Sequence, residues 1–358
     1  MKKLYVIAGE PSGDCLGAGV ISQIKALSEV EIFGVGGALM QHSGLDSAID
    51  IQQISIGGIL EILPKLFKIK RLINHVVADI LRTNPDVLLT IDSPGFCFRI
   101  AKLVRKHKPN IKLVHLVAPS VWAWRKKRAK KLAELYDQLL TLFDFEPPYF
   151  KKYGLETTFV GHAAIEEFKD NDAPKRDILL ILPGSRKQEI QKLLPVFMQS
   201  LKYLNFERVV IPTLPHLKNL IKETAKGTNI EIISDEKQKI ELFRCAKCAI
   251  VASGTATLQL ALSGCPMVCC YRLSQFSYYI IKSMIKIRYI SLVNIILNYP
   301  VVPELIQSAC DAISIAEAIK NLNCKEQLAR YKNIRWHLQS GTITPSQKIA
   351  KIILSILG

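Results

Sequence analysis

The sequence predicts an α/β protein made of two domains, each with a parallel sheet, and three observations support this prediction. Short β-rich runs alternate with longer helical patterns, which is typical of βαβ units. The alternation is interrupted once, in a polar stretch at residues 166–175, and then resumes. The length of 358 residues is also what two domains of ordinary size require.

The first half contains five strand-like runs separated by helical patterns. The runs cover residues 4–8, 30–35, 86–91, 111–117 and 138–143. Helical patterns lie at about residues 15–27 and 59–81. Because the strands recur with helices between them, we expect them to pair in parallel.

The second half repeats this arrangement after the polar stretch, which breaks at Pro174. Five further strand-like runs cover residues 178–182, 208–212, 230–233, 249–252 and 267–271. The tail from about residue 313 to residue 357 is expected to be helical throughout. We therefore divide the chain into domains at residues 1–168 and 169–340, followed by a C-terminal helix at residues 341–358.

The composition excludes a disordered chain and points to an anionic partner. The chain has 48 Lys and Arg against 31 Asp and Glu, a formal net charge of +17, and 49% of its residues are hydrophobic. The mean hydropathy of +0.18 is high for a chain of this charge. Nucleic acid would match the charge alone, whereas a membrane surface would match both the charge and the apolar character.

The apolar segments predict neither a membrane span nor a secretory leader. The longest uncharged stretch, residues 248–271, is long enough to span a bilayer. It is broken by turn residues and fits strand, turn, helix and strand better. The first apolar run stops at Ala8, so no secretory leader is expected and the protein should be cytoplasmic.

The cysteines fit reduced thiols in that compartment. There are nine, an odd number. Cys245 and Cys248 form a C-x-x-C without a second pair or a nearby histidine, which is weak support for a zinc or redox site.

The strongest local motif in the first half follows the strand at residues 4–8. Glu10, Ser12 and Gly13 lie directly before a helix, where backbone N–H groups at a positive helix terminus suit an anion or a sugar hydroxyl. An ordinary βα turn is equally compatible with the spacing. Neither a Walker A loop nor G-x-G-x-x-G is present.

Two turns in the second half resemble phosphate sites. Gly184, Ser185 and Arg186 follow one strand and open a helix, so that an arginine joins a helix N-terminus. Residues 253–257 close another strand with small hydroxylated side chains. Because open α/β sheets bind ligands at the carboxyl ends of strands, the pair favours a nucleotide over plain loops.

Asp92 ends the strand at residues 86–91 and is a candidate general base. An acid at this edge of a sheet faces the ligand crevice of an open α/β fold. The competing interpretation, a helix N-cap or turn-forming aspartate, is the commoner use of such a residue.

Three segments interleave basic residues with bulky apolar ones. They cover residues 119–131, with Trp122 and Trp124, residues 62–73 and residues 278–289. A solvated helix face and a nucleic-acid site are alternatives. Exposed isoleucines among lysines favour an anionic membrane surface, since phosphate binding alone does not need them.

Taken together, these motifs resemble the lipid-A-disaccharide synthase family over nearly the whole chain. The matching blocks, in chain order, are Ala8-Gly9-Glu10 with Ser12-Gly13-Asp14, Ile91-Asp92 with Pro94, Pro119-Ser120-Val121-Trp122-Ala123-Trp124-Arg125, Gly161-His162, Leu182-Pro183-Gly184-Ser185-Arg186, Ser253-Gly254-Thr255-Ala256-Thr257-Leu258, Pro266-Met267-Val268, Ser291-Leu292 with Asn294, and Val302-Pro303-Glu304-Leu305. Each block is modest alone, but nine in order are specific.

The resemblance implies a GT-B glycosyltransferase with two Rossmann-like domains that face each other across a cleft. Residues 1–168 would bind the acceptor, residues 169–340 the UDP-sugar, and the C-terminal helix would cross back to the first domain. The reaction implied is inverting transfer of 2,3-diacylglucosamine from its UDP derivative to 2,3-diacylglucosamine 1-phosphate, which forms a β-1,6 linkage and releases UDP. It would occur on the inner face of the cytoplasmic membrane, without a metal or cofactor. A homodimer is compatible with the sequence.

The resemblance also assigns roles to residues. Asp92 would take the proton from the acceptor hydroxyl, and Glu10, Ser12 and Gly13 would position the sugar. Trp122 and Arg125 would meet the acceptor phosphate or lipid headgroups. The predicted donor contacts are Arg186, Ser253, Gly254, Thr255, Thr257, Gln259 and Asn294.

Three positions depart from the family pattern. Gly95 stands where a second acid follows Pro94, Gln259 stands where Glu is common, and Val293 stands where proline is usual. These departures concern the ribose contact and one loop.

Two alternatives stay open on the sequence. Another GT-B enzyme acting on a UDP-amino sugar, either an epimerase or a transferase with a soluble acceptor, would leave the basic apolar segments unexplained. A basic RNA-binding protein would explain the charge but not the two phosphate-type turns.

Overall fold

The computed structural model describes residues 1–50, 62–122, 127–168, 173–273 and 288–358. These residues form two compact units. The first comprises Met1–Ala163 together with Leu338–Gly358, and the second comprises Ala164–His337.

The first unit is built on a sheet of seven parallel strands in the order β3-β2-β1-β4-β5-β6-β7. The strands are β1 Lys2–Ala8, β2 Val30–Gly36, β3 Asp46–Asp50, β4 Val87–Ile91, β5 Lys112–Leu116, β6 Gln138–Thr141 and β7 Glu156–Phe159. The helices between them are α1 Pro11–Leu27, α2 Ala38–His42, α3 Ile62–Thr83, α4 Pro94–His107, α5 Lys127–Ala133 and α6 Pro148–Lys151. The central strands β1 and β4 are apolar and buried on both faces, as a sheet covered by helices on two sides requires.

The second unit contains six parallel strands in the order β10-β9-β8-β11-β12-β13. They are β8 Arg176–Leu182, β9 Arg208–Pro212, β10 Glu231–Ile233, β11 Ala246–Ala252, β12 Met267–Tyr271 and β13 Glu304–Ile306. The helices are α7 Ala164–Glu167, α8 Lys187–Ser200, α9 Lys218–Thr224, α10 Glu236–Cys245, α11 Thr255–Leu262, α12 Leu292–Leu297, α13 Ala312–Lys320 and α14 Cys324–Leu338, with short 3-10 turns at Leu201–Tyr203, Pro215–Leu217 and Gln307–Ala309.

The last helix, α15 Pro345–Leu357, belongs to the first unit although it follows the second in the chain. Ile349, Ile353 and Leu357 are buried in one core with Val20 and Ile24 of α1. A capping box at its start, Thr344 with Gln347, satisfies the first backbone donors. The C-terminal helix therefore crosses back to the first domain, as expected.

All ten predicted strands are present, with ends shifted by a few residues, and residues 248–271 form strand, turn, helix and strand as predicted. The prediction of a continuously helical tail was wrong. The tail forms three helices, because Asn321–Asn323 and the stretch around Gly341, whose φ is +99°, interrupt it. Within the described ranges, every helix is too short or too polar to span a bilayer.

Removing buried methyl groups from α15 should destabilise the first unit. We expect Ile353→Ala to lower its free energy of unfolding by about 2–5 kcal/mol, because Ile353 is fully buried. Chemical denaturation followed by circular dichroism measures this. Lys351→Ala on the exposed face of the same helix is the control, with a change within about 0.5 kcal/mol. Equal effects of the two substitutions would contradict this packing.

Candidate active site

The carboxyl edge of the first sheet brings two predicted site segments together. β1 and β4 are neighbours, and Ala8 pairs in register with Ile91. The turn after β1 and Asp92 after β4 therefore lie side by side, where open α/β sheets bind ligands. Burial raises the pKa of the Cys97 thiol, and the charges of Asp92 and then Glu10 raise it further. Both carboxylates thus lie within electrostatic reach of one buried group.

Within the turn after β1, Gly13 serves packing, whereas Glu10 and Ser12 face solvent. A Cβ atom at Gly13 would lie 3.3 Å from Cβ of Ala8 and 3.5 Å from Cγ2 of Ile91, so the absent side chain lets α1 start close to the sheet. Glu10 and Ser12 are exposed at the start of α1. Of the three predicted residues here, these two are accessible to a ligand.

Asp92 sits in a strained turn. Its φ is +52° and that of Ser93 is +44°, so two successive non-glycine residues adopt the left-handed region. The Asp92 N–H donates to the carbonyl of Leu116 at 2.9 Å, which ties the turn to β5. Burial raises the pKa of the Asp92 carboxyl, and a hydrogen bond from the Ser93 backbone opposes the rise. A strained, partly buried carboxylate at a ligand-binding edge is well suited to accept a proton.

Three buried polar side chains form a hydrogen-bonded network near Asp92. Thr90 is in β4, His115 is in β5 and Tyr136 precedes β6. The Thr90 hydroxyl lies 2.8 Å from Nδ1 of His115 and 3.0 Å from the hydroxyl of Tyr136, and Thr90 and His115 are fully buried. Burial lowers the pKa of His115 to about 3, so its ring is neutral. These contacts fix the strand that carries Asp92.

Trp122 belongs to an aromatic cluster at the same edge of the sheet. Its ring meets Phe145 edge-on at 5.5 Å, Phe145 stacks on Phe143 at 5.5 Å, and Phe143 lies 5.5 Å from His162. Beside them, the buried Glu146 carboxyl group accepts the Phe143 N–H at 3.1 Å, and burial raises the pKa of Glu146 to about 8. Rings at a sheet edge provide a face for a sugar or an acyl chain.

Sequence reasoning missed four members of this cluster. Phe143 ends the strand predicted at residues 138–143 and Phe145 follows it, so these two aromatic side chains could have indicated a site at the sheet edge. Trp124 and Arg125 lie outside the described residues, as do residues 278–287 of the third basic segment. Lys70 and Arg71 of the second segment are exposed on α3.

In the second unit, Arg186 pairs with a carboxylate from its own helix. The Glu189 side chain accepts the Arg186 guanidinium at 2.9 Å and the N–H groups of Ser185 and Arg186 at 3.2 and 3.3 Å. The Arg186 side chain stays 79% exposed. Burial raises the pKa of Tyr271 at the end of β12, the Glu189 charge adds to this, and the Arg186 charge opposes it. Glu189 and Tyr271 therefore lie near Arg186, and neither was predicted from the sequence as a candidate site residue.

The second phosphate-type turn uses two of its hydroxyls internally. Ser253 donates to the carbonyl of Ile290 at 2.7 Å, and the buried Thr257 donates to the carbonyl of Gly254 at 2.8 Å. Gly254 and Thr255 are exposed at the start of α11, and Gln259 is partly exposed one turn later. Gly254 and Thr255 are therefore the members of this turn that lie open to solvent.

Asn294 lies in the protein interior. Its amide nitrogen donates to the carbonyl of Val302 and to the Glu304 carboxylate, both at 2.8 Å, and its oxygen accepts the Val302 N–H at 2.8 Å. Glu304 also accepts the N–H groups of Ile290 and Ser291 at 2.9 Å. In this conformation Asn294, with no exposed surface, supports the loop that receives Ser253.

The cysteines and acids of the described ranges form no metal site. In those ranges, no three His, Cys, Asp or Glu side chains are grouped so that they could hold one ion. All nine cysteines are free thiols, and burial raises the pKa of Cys248 to about 12. Cys248 is thus a protonated thiol at neutral pH.

The contact between Gly184 and Glu189 can be tested by substitution. Gly184 has φ +108°, and a Cβ atom there would lie 2.4 Å from Oε2 of Glu189. We expect Gly184→Ala to destabilise the second unit by about 1–2 kcal/mol through its φ and by about 1–3 kcal/mol more through displacing the carboxylate. Thermal unfolding measures the loss.

Gly227→Ala is the matched control, since Gly227 has φ +83° and no atom within 4 Å of the added Cβ. Its substitution should lower the unfolding temperature only by the cost of placing a side chain at a positive φ. If the two variants unfold at the same temperature, the Glu189 contact does not constrain this turn.

Comparison with known proteins identifies the family. The family model described as lipid-A-disaccharide synthetase matches residues 4–352. A lipid-A-disaccharide synthase of Rickettsia bellii is 39% identical over 90% of this chain and 89% of its own length. One of Rhodospirillum centenum is 37% identical over 99% of this chain and 94% of its own.

A solved structure of Methanocaldococcus jannaschii UDP-GlcNAc 2-epimerase, in complex with UDP-GlcNAc and UDP, has a TM-score of 0.67. It is 12% identical and covers 99% of both chains, a likeness of fold alone. The two parallel-sheet units agree with this GT-B fold. By the match to the family model and the identity to its named relatives, the chain belongs to the lipid-A-disaccharide synthetase family.

Proposed function

We propose that this chain transfers 2,3-diacylglucosamine from its UDP derivative to 2,3-diacylglucosamine 1-phosphate, with inversion at the anomeric carbon, and releases UDP. The observation that carries the proposal is family membership over residues 4–352. The epimerase alternative rests on relatives that are at most 16% identical, whereas the relatives at 37–39% are named synthases. The chain is therefore a glycosyltransferase, and the epimerase alternative is not favoured.

The donor diphosphate is proposed to bind at the Arg186 turn and beside Gly254 and Thr255. Arg186 is exposed, and its present partner is the Glu189 carboxylate at 2.9 Å. A diphosphate carries more negative charge than one carboxylate, so it can compete for this guanidinium. As the bond between the sugar and UDP breaks, Arg186 offsets the charge that develops on the leaving group.

The acceptor is proposed to bind at the carboxyl edge of the first sheet. Glu10 and Ser12 would hold its sugar, and the aromatic cluster around Trp122 would contact its apolar parts. The acceptor hydroxyl attacks the anomeric carbon as its proton passes to Asp92. Because burial raises the pKa of Asp92, it is a stronger base than an exposed aspartate.

We propose that the reaction occurs at the inner face of the cytoplasmic membrane, and the acyl chains of the proposed substrates, which reside in lipid, support a membrane location. The net charge of +17 and the exposed Lys70 and Arg71 of α3 support attraction to anionic lipid. A homodimer is compatible with this proposal but is not required by it.

Replacing Asp92 should slow turnover strongly and leave donor binding unchanged. Asp92→Asn keeps the shape and removes the base, so the rate should fall about 10²–10⁴-fold. Transfer between the UDP donor and the monosaccharide acceptor in detergent, with UDP affinity from calorimetry, measures both. The wild-type rate should decline as the pH falls through the raised pKa of Asp92, and the variant should lack this decline.

Asp86→Asn is the control, because Asp86 precedes the same strand at its opposite end and is exposed. It should keep the wild-type rate and pH profile. If Asp92→Asn turns over at the wild-type rate, Asp92 only shapes the turn and is not the base. If the variant loses UDP binding, Asp92 contributes to the donor site instead.

Replacing Arg186 should weaken donor binding directly. Arg186→Ala removes a charge-assisted contact, which should reduce UDP affinity by about 1.5–3 kcal/mol and slow turnover. Calorimetry with UDP measures the change. Arg208→Ala is the control, since Arg208 pairs with Glu231 at 2.5 Å elsewhere on the unit. Equal UDP affinity in wild type and Arg186→Ala would remove Arg186 from the site.

A further inference from the structure

An exposed aromatic and basic hollow lies on the second unit, apart from its phosphate-type turns. It has a volume of about 320 Å³ and is lined by Leu297, Tyr299, Arg330, Asn333, Trp336 and His337. The lining comes from the end of α12 and the outer face of α14. We propose that this hollow docks phosphate headgroups of an anionic membrane, an inference that deepens the proposed function by giving the membrane a defined contact.

The aromatic side chains of the hollow are unusually open to solvent. Trp336 is 71% exposed and Tyr299 is 44% exposed. Exposed Trp and Tyr side chains are typical of the boundary between lipid and water, where the ring contacts apolar groups and the polar atom stays hydrated. Interior packing of the second unit does not account for them.

The hollow carries a positive charge that is not neutralised by a described carboxylate. The Arg330 guanidinium lies 4.6 Å from the centre of the Tyr299 ring, and no described carboxylate is within ion-pair distance of it. Lys325 and Lys332 are exposed on the same helix. A guanidinium held on a ring beside open space suits a phosphate oxygen pair.

Arg335, on the same helix, has a structural role and can be compared with Arg330. Its guanidinium donates to the carbonyls of Ile165 and Phe168 and is partly buried. Arg330 makes no such backbone contact among the described residues. The difference indicates that Arg330 is kept for a partner outside the chain.

The positive charge of the hollow and the acyl chains of the proposed substrates favour a membrane over other occupants. Arg330, Lys325 and Lys332 give the hollow a positive charge, which the same hollow of a second copy would not complement. RNA would use the charge and stack on Trp336, but the proposed substrates are acylated and reside in lipid. Lipid phosphates therefore match the basic and the aromatic components together.

Co-sedimentation with vesicles tests the proposal. The probes are vesicles of phosphatidylcholine alone and of phosphatidylcholine with phosphatidylglycerol, at low and high salt. We expect binding to the anionic vesicles to weaken about fivefold in Arg330→Gln, and by a similar factor in Trp336→Ala. Tyr203→Ala removes an aromatic that is 49% exposed elsewhere on the unit and should bind like wild type.

Fluorescence of Trp336 reports its own environment. In a Trp122→Phe, Trp124→Phe background Trp336 is the remaining tryptophan. Its emission should shift to shorter wavelength with anionic vesicles and stay constant with inorganic phosphate, RNA oligomer or increasing protein concentration. A shift with RNA or with concentration alone would overturn the membrane assignment in favour of RNA or self-association.

The outcomes also separate this inference from the proposed function. UDP affinity should be unchanged in Arg330→Gln and Trp336→Ala, which confirms that these variants are folded. If they bind anionic vesicles as wild type does, this hollow is not the contact, while membrane binding through other segments survives. If wild type binds no anionic vesicles at low salt, both the inference and the membrane part of the proposed function are wrong, although glycosyl transfer still stands.

Discussion

Parallel strand pairing is the constraint on which the rest of the structure depends. Because every strand in both sheets runs the same way, all the carboxyl ends of one unit lie at one edge. Asp92 and the turn after β1 become neighbours only through the register of Ala8 with Ile91. In the second unit, the same rule brings the ends of β8, β11 and β12 to one edge, and with them Arg186, Ser253 and Tyr271. Local motifs alone would not bring these residues together at one edge of a sheet.

Carboxylates from the chain itself shape the turns at these edges. Asp14 accepts three N–H groups of the turn after β2, Glu189 accepts two in the Arg186 turn, and Glu304 accepts two before α12. Each satisfies backbone donors that would otherwise be unpaired. The Arg186 turn, which resembles an anion site in sequence, is thus partly filled by an internal anion. The groups left exposed in the second unit, such as the Arg186 guanidinium and Gly254, define where a ligand can enter.

The fold could largely be predicted from the sequence, because buried parallel strands are continuous apolar runs of distinctive length. The short edge strands β3, β7 and β13 were missed, since they are only three to five residues long and, in β7 and β13, have few buried residues. The site was predicted less completely. Asp92 and Arg186 follow strands and are visible as motifs. Glu146 and Glu189 accept N–H groups three or four residues away, which is a local pattern that the sequence analysis overlooked. Tyr271 comes near Arg186 only through the pairing of β8, β11 and β12. Thr257 and Asn294 were predicted to contact the donor, but their side chains form hydrogen bonds inside the protein, which a sequence motif does not reveal.

The return of α15 to the first unit has a consequence for biosynthesis. The first unit is discontinuous in the chain, because residues 164–337 are inserted between its body and its last helix. During translation the part of α1 that packs against α15 stays uncovered until α15 emerges, although Val20 and Ile24 also share a core with the sheet. At ordinary elongation rates that interval is roughly 10–40 s. The first domain to be synthesised is therefore the last to be completed, and its uncovered helix face is where a nascent chain of this protein would need a chaperone.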